Sequence, residues 1–288
     1  MRWALILTFG FAVLEALGGF WAGSLALLGD AGHMLLDSAA MGLSLLAFWV
    51  ARRPPSRRHS YGLVRAEIVA ALVNSLFMIA VVAGLIIAAV RHLQHPQPVN
   101  GLAVMVIASL GVGANLGVLY LLGGGQSLNS RAAVLHALGD LMGSVAALVS
   151  GAVVWFSGST LADPILSIAI ACLILYSTVS LLRETLNVLM EGVPYGLELE
   201  AVGMRMAEVP DVLSVHDLHV WTLSSGMLAL SAHIIVRDLE DWPAILGRVR
   251  VMLAQHFGIG HVTLQPEMVA APLRRPVSGG VIPIHSQD

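Results

Sequence analysis

Two short motifs carry the chemistry that stands out in this sequence, His33-Met-Leu-Leu-Asp37 and His136-Ala-Leu-Gly-Asp140. In a helix, an i, i+4 spacing sets His and Asp on one face, a turn apart. Both pairs lie inside long apolar runs, where an ionisable side chain costs several kcal/mol and is a functional hypothesis by default. Two such pairs on facing helices can converge on one point. They would then offer two imidazole nitrogens and two carboxylate oxygens, a tetrahedral shell for zinc at about 2.0–2.2 Å. Two carboxylates would also offset the charge of a divalent ion where net charge is poorly tolerated. The competing reading is a pair of His–Asp hydrogen bonds that fasten helices together. Ser, Thr or Asn would do that at lower desolvation cost, and the pattern occurs twice at one spacing, which favours metal.

Such a shell is sensitive to protons. Zinc binds neutral imidazole and ionised carboxylate, so binding expels protons and protons compete with the metal. An unperturbed imidazole titrates near pH 6.5. A site open to an acidic compartment would take protons on His33 or His136 and release zinc. The same site open to a neutral compartment would rebind it. Asp30, three residues before His33, shares that helix face. It is a candidate for a hydrogen-bond acceptor behind the ligands, a proton path or an entrance charge, and equally for an N-cap near Gly29. Glu15, Glu67, Asn74 and Asn115 read as interhelical hydrogen-bonding groups.

The elements that must hold these residues are membrane spans. The chain has 288 residues, 57% hydrophobic and 11% charged, with mean hydropathy +0.82. About 25% charge is ordinary for soluble domains, so lipid is the solvent for much of this chain. Six stretches reach spanning length, roughly 3–22, 25–51, 66–90, 102–122, 132–156 and 164–189. The first carries Glu15 and lacks a clear cleavage site, so it reads as a retained span and not as a signal peptide. The loop Arg52-Arg53-Pro-Pro-Ser-Arg57-Arg58 carries four Arg, which makes it cytoplasmic. An even number of spans then puts both termini in the cytoplasm. Gly111, Gly113 and Gly117 would permit close helix approach or bending. A single Cys, Cys172, excludes a disulfide framework and a Cys-rich metal site. A net charge of −3 gives no footing for nucleic acid.

After Glu191-Gly-Val-Pro194 charges become regular and the runs shorten. The fold class is therefore membrane α-helical, with six transmembrane helices and a small cytoplasmic α/β domain. The domains are 1–192 for transport, 193–271 for the α/β part and 272–288 for a disordered tail rich in Pro, Gly, Ser and Arg. The α/β part reads as helix 197–209, strands 213–223 and 228–236, helix 241–257 and strand 261–268. This αββαβ order is ferredoxin- or metallochaperone-like. His216 and His233 fall on adjacent strands, and His261 and Glu267 flank the third, so these four are candidates for a second metal site. His219 and Trp221 alternate away from them and read as packing or dimer-interface residues.

The segment Gly23-Ser-Leu-Ala-Leu-Leu-Gly-Asp30-Ala-Gly-His33-Met-Leu-Leu-Asp37 closely resembles the second span of the cation diffusion facilitator family. Ser60-Tyr-Gly-Leu-Val-Arg65-Ala-Glu67 resembles that family's entry to the third span, and His136-Ala-Leu-Gly-Asp140-Leu-Met-Gly-Ser144 its fifth. Val215-His-Asp-Leu-His-Val-Trp221 and His261-Val-Thr-Leu-Gln-Pro-Glu267 resemble its cytoplasmic domain. The match runs in order to about Pro272 and is closest to the bacterial zinc-exporting branch. It implies a homodimer in the bacterial cytoplasmic membrane that moves metal outward by metal–proton antiport with alternating access. It implies His33, Asp37, His136 and Asp140 as transport ligands, two His and two Asp as in zinc-type members. It also implies metal between paired cytoplasmic domains at the positions of His216, His233 and Glu267, where zinc would regulate. Gln265 stands where some relatives have His. In the loop after the second span only His59 fits the extra zinc site of some relatives, with Ser56 and Leu63 at the other positions, so no strong site is expected there.

Other readings remain open. The same machinery could carry Cd2+, Co2+, Fe2+ or Mn2+. An intramembrane zinc hydrolase would need an open coordination position and a base, typically His-Glu-x-x-His, and that motif does not occur. A passive channel would need several weak sites where this chain offers one tight shell.

Overall fold

The computed structural model describes residues 2–122, 128–224, 226–268 and 284–285, with side chains for 8–120, 134, 137–224 and 226–268. Six long helices come first: α1 (Arg2–Ala22), α2 (Leu25–Ala51), α3 (Ala66–Gln94), α4 (Gly101–Leu122), α5 (Leu128–Ser157) and α6 (Ala162–Leu189). Five of them, α2 to α6, hold a stretch long and apolar enough to cross a bilayer, and α1 contributes a shorter apolar stretch, Thr8–Ala22. The chain is an integral membrane protein. By contacts it divides into Met1–Ala47 with Ala70–Leu182, and Phe48–Val69 with Arg183–Asp288.

In the first unit the usual inside-out order of a soluble protein is absent. Phe20, Leu45, Leu46, Phe77, Leu173 and Tyr176 face outward, while Ala22, Ala26, Ala89, Ala108, Ala147 and Ala171 are buried. Small residues let helix backbones approach closely where lipid supplies no hydrophobic drive for association. The tightest approach joins α4 to α5. A Cβ added to Gly151 would stand 2.8 Å from the backbone nitrogen of Met105, and one on Gly101 would stand 2.7 Å from that of Trp155. Gly113 and Gly117, expected to serve this purpose, face open space. Periodicity does not tell which side of an all-apolar helix meets its neighbour.

A polar knot fixes the start of α2. Asp163, at the start of α6 and fully buried, accepts hydrogen bonds from the Ser24 hydroxyl (2.5 Å), the Leu25 backbone N–H (2.7 Å) and the Ser150 hydroxyl of α5 (3.1 Å). Ser24 Oγ in turn accepts from the Leu27 N–H at 3.3 Å, as an N-cap does. The carboxylate thus meets the orphan N–H groups and positive end of α2 while tying that helix to α5 and α6.

The second unit holds α7 (Leu199–Ala207), β1 (Val212–Ser224), β2 (Met227–Val236), α8 (Trp242–Phe257), β3 (Ile259–Met268) and β4 (Ile284–His285). The expected αββαβ order is present, and the sheet runs β3-β2-β1-β4. β1 pairs antiparallel with β2, and β2 pairs parallel with β3. The α8 crossover between parallel strands ends on Gly258, whose φ of 67° suits a left-handed C-cap. Val202 and Met206 of α7 and Ile245, Val249 and Leu253 of α8 form the core with Val215, Leu230 and Ile234. Alternation along the strands turns His216 and His233 to the other face. Within the tail expected to be disordered, Ile284–His285 pairs with Ser214 and Val215 of β1. A local alternation around two Ile residues meets an open sheet edge there, which an average over the tail's composition hides. The remainder of 269–288 lies outside the described residues. This unit also contains the loop after α2, where Arg52 and Arg53 stack over Phe48 and Trp49 and Arg65 pairs with Glu191 at 2.9 Å.

Candidate metal centres

The first centre grows from the spacing of His33 and Asp37 on α2. Asp37 Oδ2 lies 3.5 Å from His33 Nε2, and Asp140 Oδ1 of α5 lies 3.8 Å from the same nitrogen. One ligand atom from each of the three residues falls within 4.8 Å of the others. A tetrahedral shell with bonds of about 2.0–2.2 Å sets its donors about 3.3–3.6 Å apart. Both distances from His33 Nε2 lie within a few tenths of an ångström of that spacing. The Asp140 side chain is 8% exposed, while those of His33 and Asp37 are 20% and 17% exposed, so the α5 carboxylate is the most enclosed of the three. His136 lies on α5 one turn before Asp140; its side chain is outside those described.

Asp30 is no N-cap. Leu25 begins α2 and Ser24 caps it, so Asp30 sits in the second turn, 1% exposed. Its carboxylate accepts from Ser144 Oγ of α5 at 3.0 Å, and Ser144 accepts from Asn115 Nδ2 of α4 at 3.1 Å. Ser144 is one turn beyond Asp140. The bond from Asp30 to Ser144 therefore binds α2 to α5 about one turn from the candidate ligands. Gly143 makes room for it, since a Cβ there would run into the Asp30 carboxyl. Asn115 thus does the interhelical bonding expected of it. Glu15 does not: it is fully buried, and neither carboxyl oxygen has a hydrogen-bond partner among the described residues. Asp163 escaped notice in the sequence, because an acid in a first helical turn reads as a complement to the helix dipole.

The second centre lies on the sheet. His216 and His233 are directly paired across β1 and β2, with ring centroids 5.2 Å apart. Glu267 of β3 bridges them, with Oε2 3.0 Å from His216 Nε2 and Oε1 2.8 Å from His233 Nδ1. The three form a second group with ligand atoms mutually within 4.8 Å. A break in register between His216 and His219 accompanies a φ of 50° at Asp217. This bulge re-aims Asp217, whose two oxygens lie 3.0 Å from His219 Nε2 and 3.7 Å from His233 Nε2. His219 is thereby linked to the cluster, which strict alternation along β1 does not anticipate. His261 is not brought there. It pairs with Ala229 near the start of β3 and sets its ring edge-on to Tyr61 at 5.6 Å. Six residues of extended strand, about 20 Å, separate it from Glu267.

A model described as the cation efflux transmembrane domain matches residues 1–190. The chain belongs to the cation efflux family. A second model, the cytoplasmic domain of cation efflux proteins, matches residues 194–269 of this cation efflux protein. The zinc transporter ZitB of Shigella flexneri is 40% identical to it, over 96% of this chain and 88% of the relative. A Bacillus velezensis protein named as a cadmium, cobalt and zinc/H(+)-K(+) antiporter is 36% identical, over 92% and 87%. The metal cation efflux system protein CzcD of Cupriavidus metallidurans is 37% identical, over 93% and 86%. The family resemblance drawn from the motifs is borne out, and this cation efflux protein is a transporter rather than an enzyme.

Proposed function

We propose that this cation efflux protein exports Zn2+ from the cytoplasm in exchange for protons, by alternating access to one intramembrane site. The observation that carries this reading is the convergence of His33, Asp37 and Asp140 from two apolar helices. His136, a turn from Asp140, supplies the fourth ligand. Zinc is the transported substrate. It suits a set of two imidazoles and two carboxylates, and the named relatives include zinc transporters. Protons compete for the same imidazole nitrogens, which makes metal release on the acidic side the exchange step. The Arg-rich loop supports a cytoplasmic side for itself and for both termini, with six spans in a bacterial inner membrane. Asp30, held by Ser144, serves as a proton path beside the ligands. The protein works as a homodimer through its cytoplasmic domain.

The test is zinc uptake by proteoliposomes containing the whole chain, with an internal pH dye. An acidic lumen is expected to accelerate zinc entry, and each zinc should drive proton counterflow. Zinc entry at one rate over a wide pH range, with no counterflow, speaks against antiport. Relatives named for cadmium and cobalt make those ions the first competitors to include.

His216, His233 and Glu267 serve as a regulatory zinc site. Two imidazoles and a carboxylate with ligand atoms mutually within 4.8 Å suit a borderline-soft ion, and Asp217, 3.7 Å from the other ring nitrogen of His233, would orient that imidazole. Glu267→Ala is expected to weaken zinc binding here by at least about tenfold, since even outer partners of a ligand cost that much. Calorimetric titration of the full chain carrying Asp140→Ala isolates this site, and unchanged stoichiometry and affinity would remove Glu267 from it.

A further inference from the structure

Glu15 is the one buried Glu among the described residues, and neither of its carboxyl oxygens has a hydrogen-bond partner among them. Asp163 accepts three hydrogen bonds and Asp30 accepts one. An ionised carboxylate buried with no donor is very costly, whereas its neutral acid is tolerable. Among the described residues no cation pairs with Glu15. α4, which packs along α1, has no Asp, Glu, His or Arg, and its Asn115 is turned to Ser144. The ionisable groups of α2 are Asp30, His33 and Asp37, and those of α5 are Arg131, His136 and Asp140. Gly111 of α4 links the two sides: a Cβ there would stand 2.9 Å from the ring of Phe11, one turn before Glu15 on α1, and 3.0 Å from Ser144 Oγ, the donor to Asp30.

We propose that Glu15 is a proton-carrying site of the transport cycle, exchanging its proton by way of Asp30 as metal enters and leaves the neighbouring centre. The inference rests on the reading of zinc–proton exchange given above. With the centre free of metal, burial without a donor keeps Glu15 as the neutral acid. Zn2+ at Asp37 and Asp140 reverses the local field. The Glu15 O–H bond then breaks, its proton passes to a carboxylate oxygen of Asp30, and from there to water reaching the more exposed His33 side. Departure of zinc runs the steps backward. No electron moves, and the proton released balances part of the charge brought in. Glu15 is thereby a coupling residue and not a zinc ligand.

Glu15→Gln imitates the protonated acid in shape and charge but cannot exchange. In proteoliposomes the variant is expected to keep zinc uptake at a fixed pH within about threefold, release about one proton fewer per zinc, and show a shallower pH profile. Glu15→Asp should restore proton release. A readout on the unaltered protein stands beside these. With glutamate labelled by carbon-13, a label-shifted infrared band of a protonated carboxyl should disappear on adding zinc. Protons per zinc and a pH profile equal to the parent's in Glu15→Gln would overturn the proposal. So would an absent or zinc-insensitive labelled band, or uptake governed by K+ in place of pH. If the parent itself releases no protons with zinc, the antiport reading falls as well, which separates the two failures.

Discussion

Asp140→Ala is expected to reduce zinc uptake by at least about a hundredfold, and Asp37→Ala by a similar factor. Removing partners that merely orient a ligand costs ten- to a hundredfold in affinity, and a direct ligand costs no less. The two positions should fail for different reasons. Asp140 is the buried member, 8% exposed, and comes from the opposite helix. Its loss removes the oxygen that α5 brings to His33 and half of the negative charge that offsets the ion. Asp37 shares α2 with His33, so its loss halves the pair that holds metal from the more exposed side. Asn at either position keeps the shape and an oxygen but removes the charge, and should rescue little zinc transport. Initial uptake rates in proteoliposomes, with gel filtration to confirm folding, provide the measurement. Zinc transport that persists in both variants would sink the site assignment.

Asp163→Ala should have the largest effect on stability. Three donors would be stranded in a buried place, among them the first backbone N–H of α2. Hydrogen bonds to a charged group are worth about 1.5–3 kcal/mol each, and stranded donors carry their own desolvation cost. A loss of about 3–5 kcal/mol is expected, in the range seen when one member of a buried charged network is removed. Asp163→Asn retains acceptor oxygen but must turn an amide toward one donor, and should fall between. Tryptophan-fluorescence melting in detergent reads the series. A melting temperature for Asp163→Ala within about 1 °C of the parent's would mean the knot holds nothing.

What the sequence made legible depended on whether a signal was local. The pairs His33/Asp37 and His136/Asp140 are periodic within one helix, so a single spacing announced them. The αββαβ order was legible because its strands alternate and its helices do not. The Asp163 knot joins residues up to 139 positions apart, and no periodicity links Ser24, Ser150 and Asp163. Asp30 was ambiguous because helix starts are blurred in an apolar run; locating the cap at Ser24 placed it in the interior. His261 was misplaced with Glu267 because nearness in sequence says little along an extended strand. His219 joined the sheet cluster through a bulge at Asp217, a backbone event that leaves no mark on composition.

The contact of Gly101 and Gly151 has a mechanical consequence. Backbone meets backbone there, so this part of α5 has no free space to move into, and the Ser150–Asp163 bond pins it again one residue away. Asp140 lies eleven residues up the same helix, about 16 Å along its axis. With Gly151 as a fulcrum and α5 as a stiff arm, a tilt of about 7° swings Asp140 by about 2 Å. That displacement roughly equals a zinc–oxygen bond. Once the Ser144–Asp30 bond yields, whatever α5 contributes to the ion would leave together, while His33 and Asp37 stay behind on α2. A small rotation about one point would thus split the coordination shell in half, and half a shell lets its ion go.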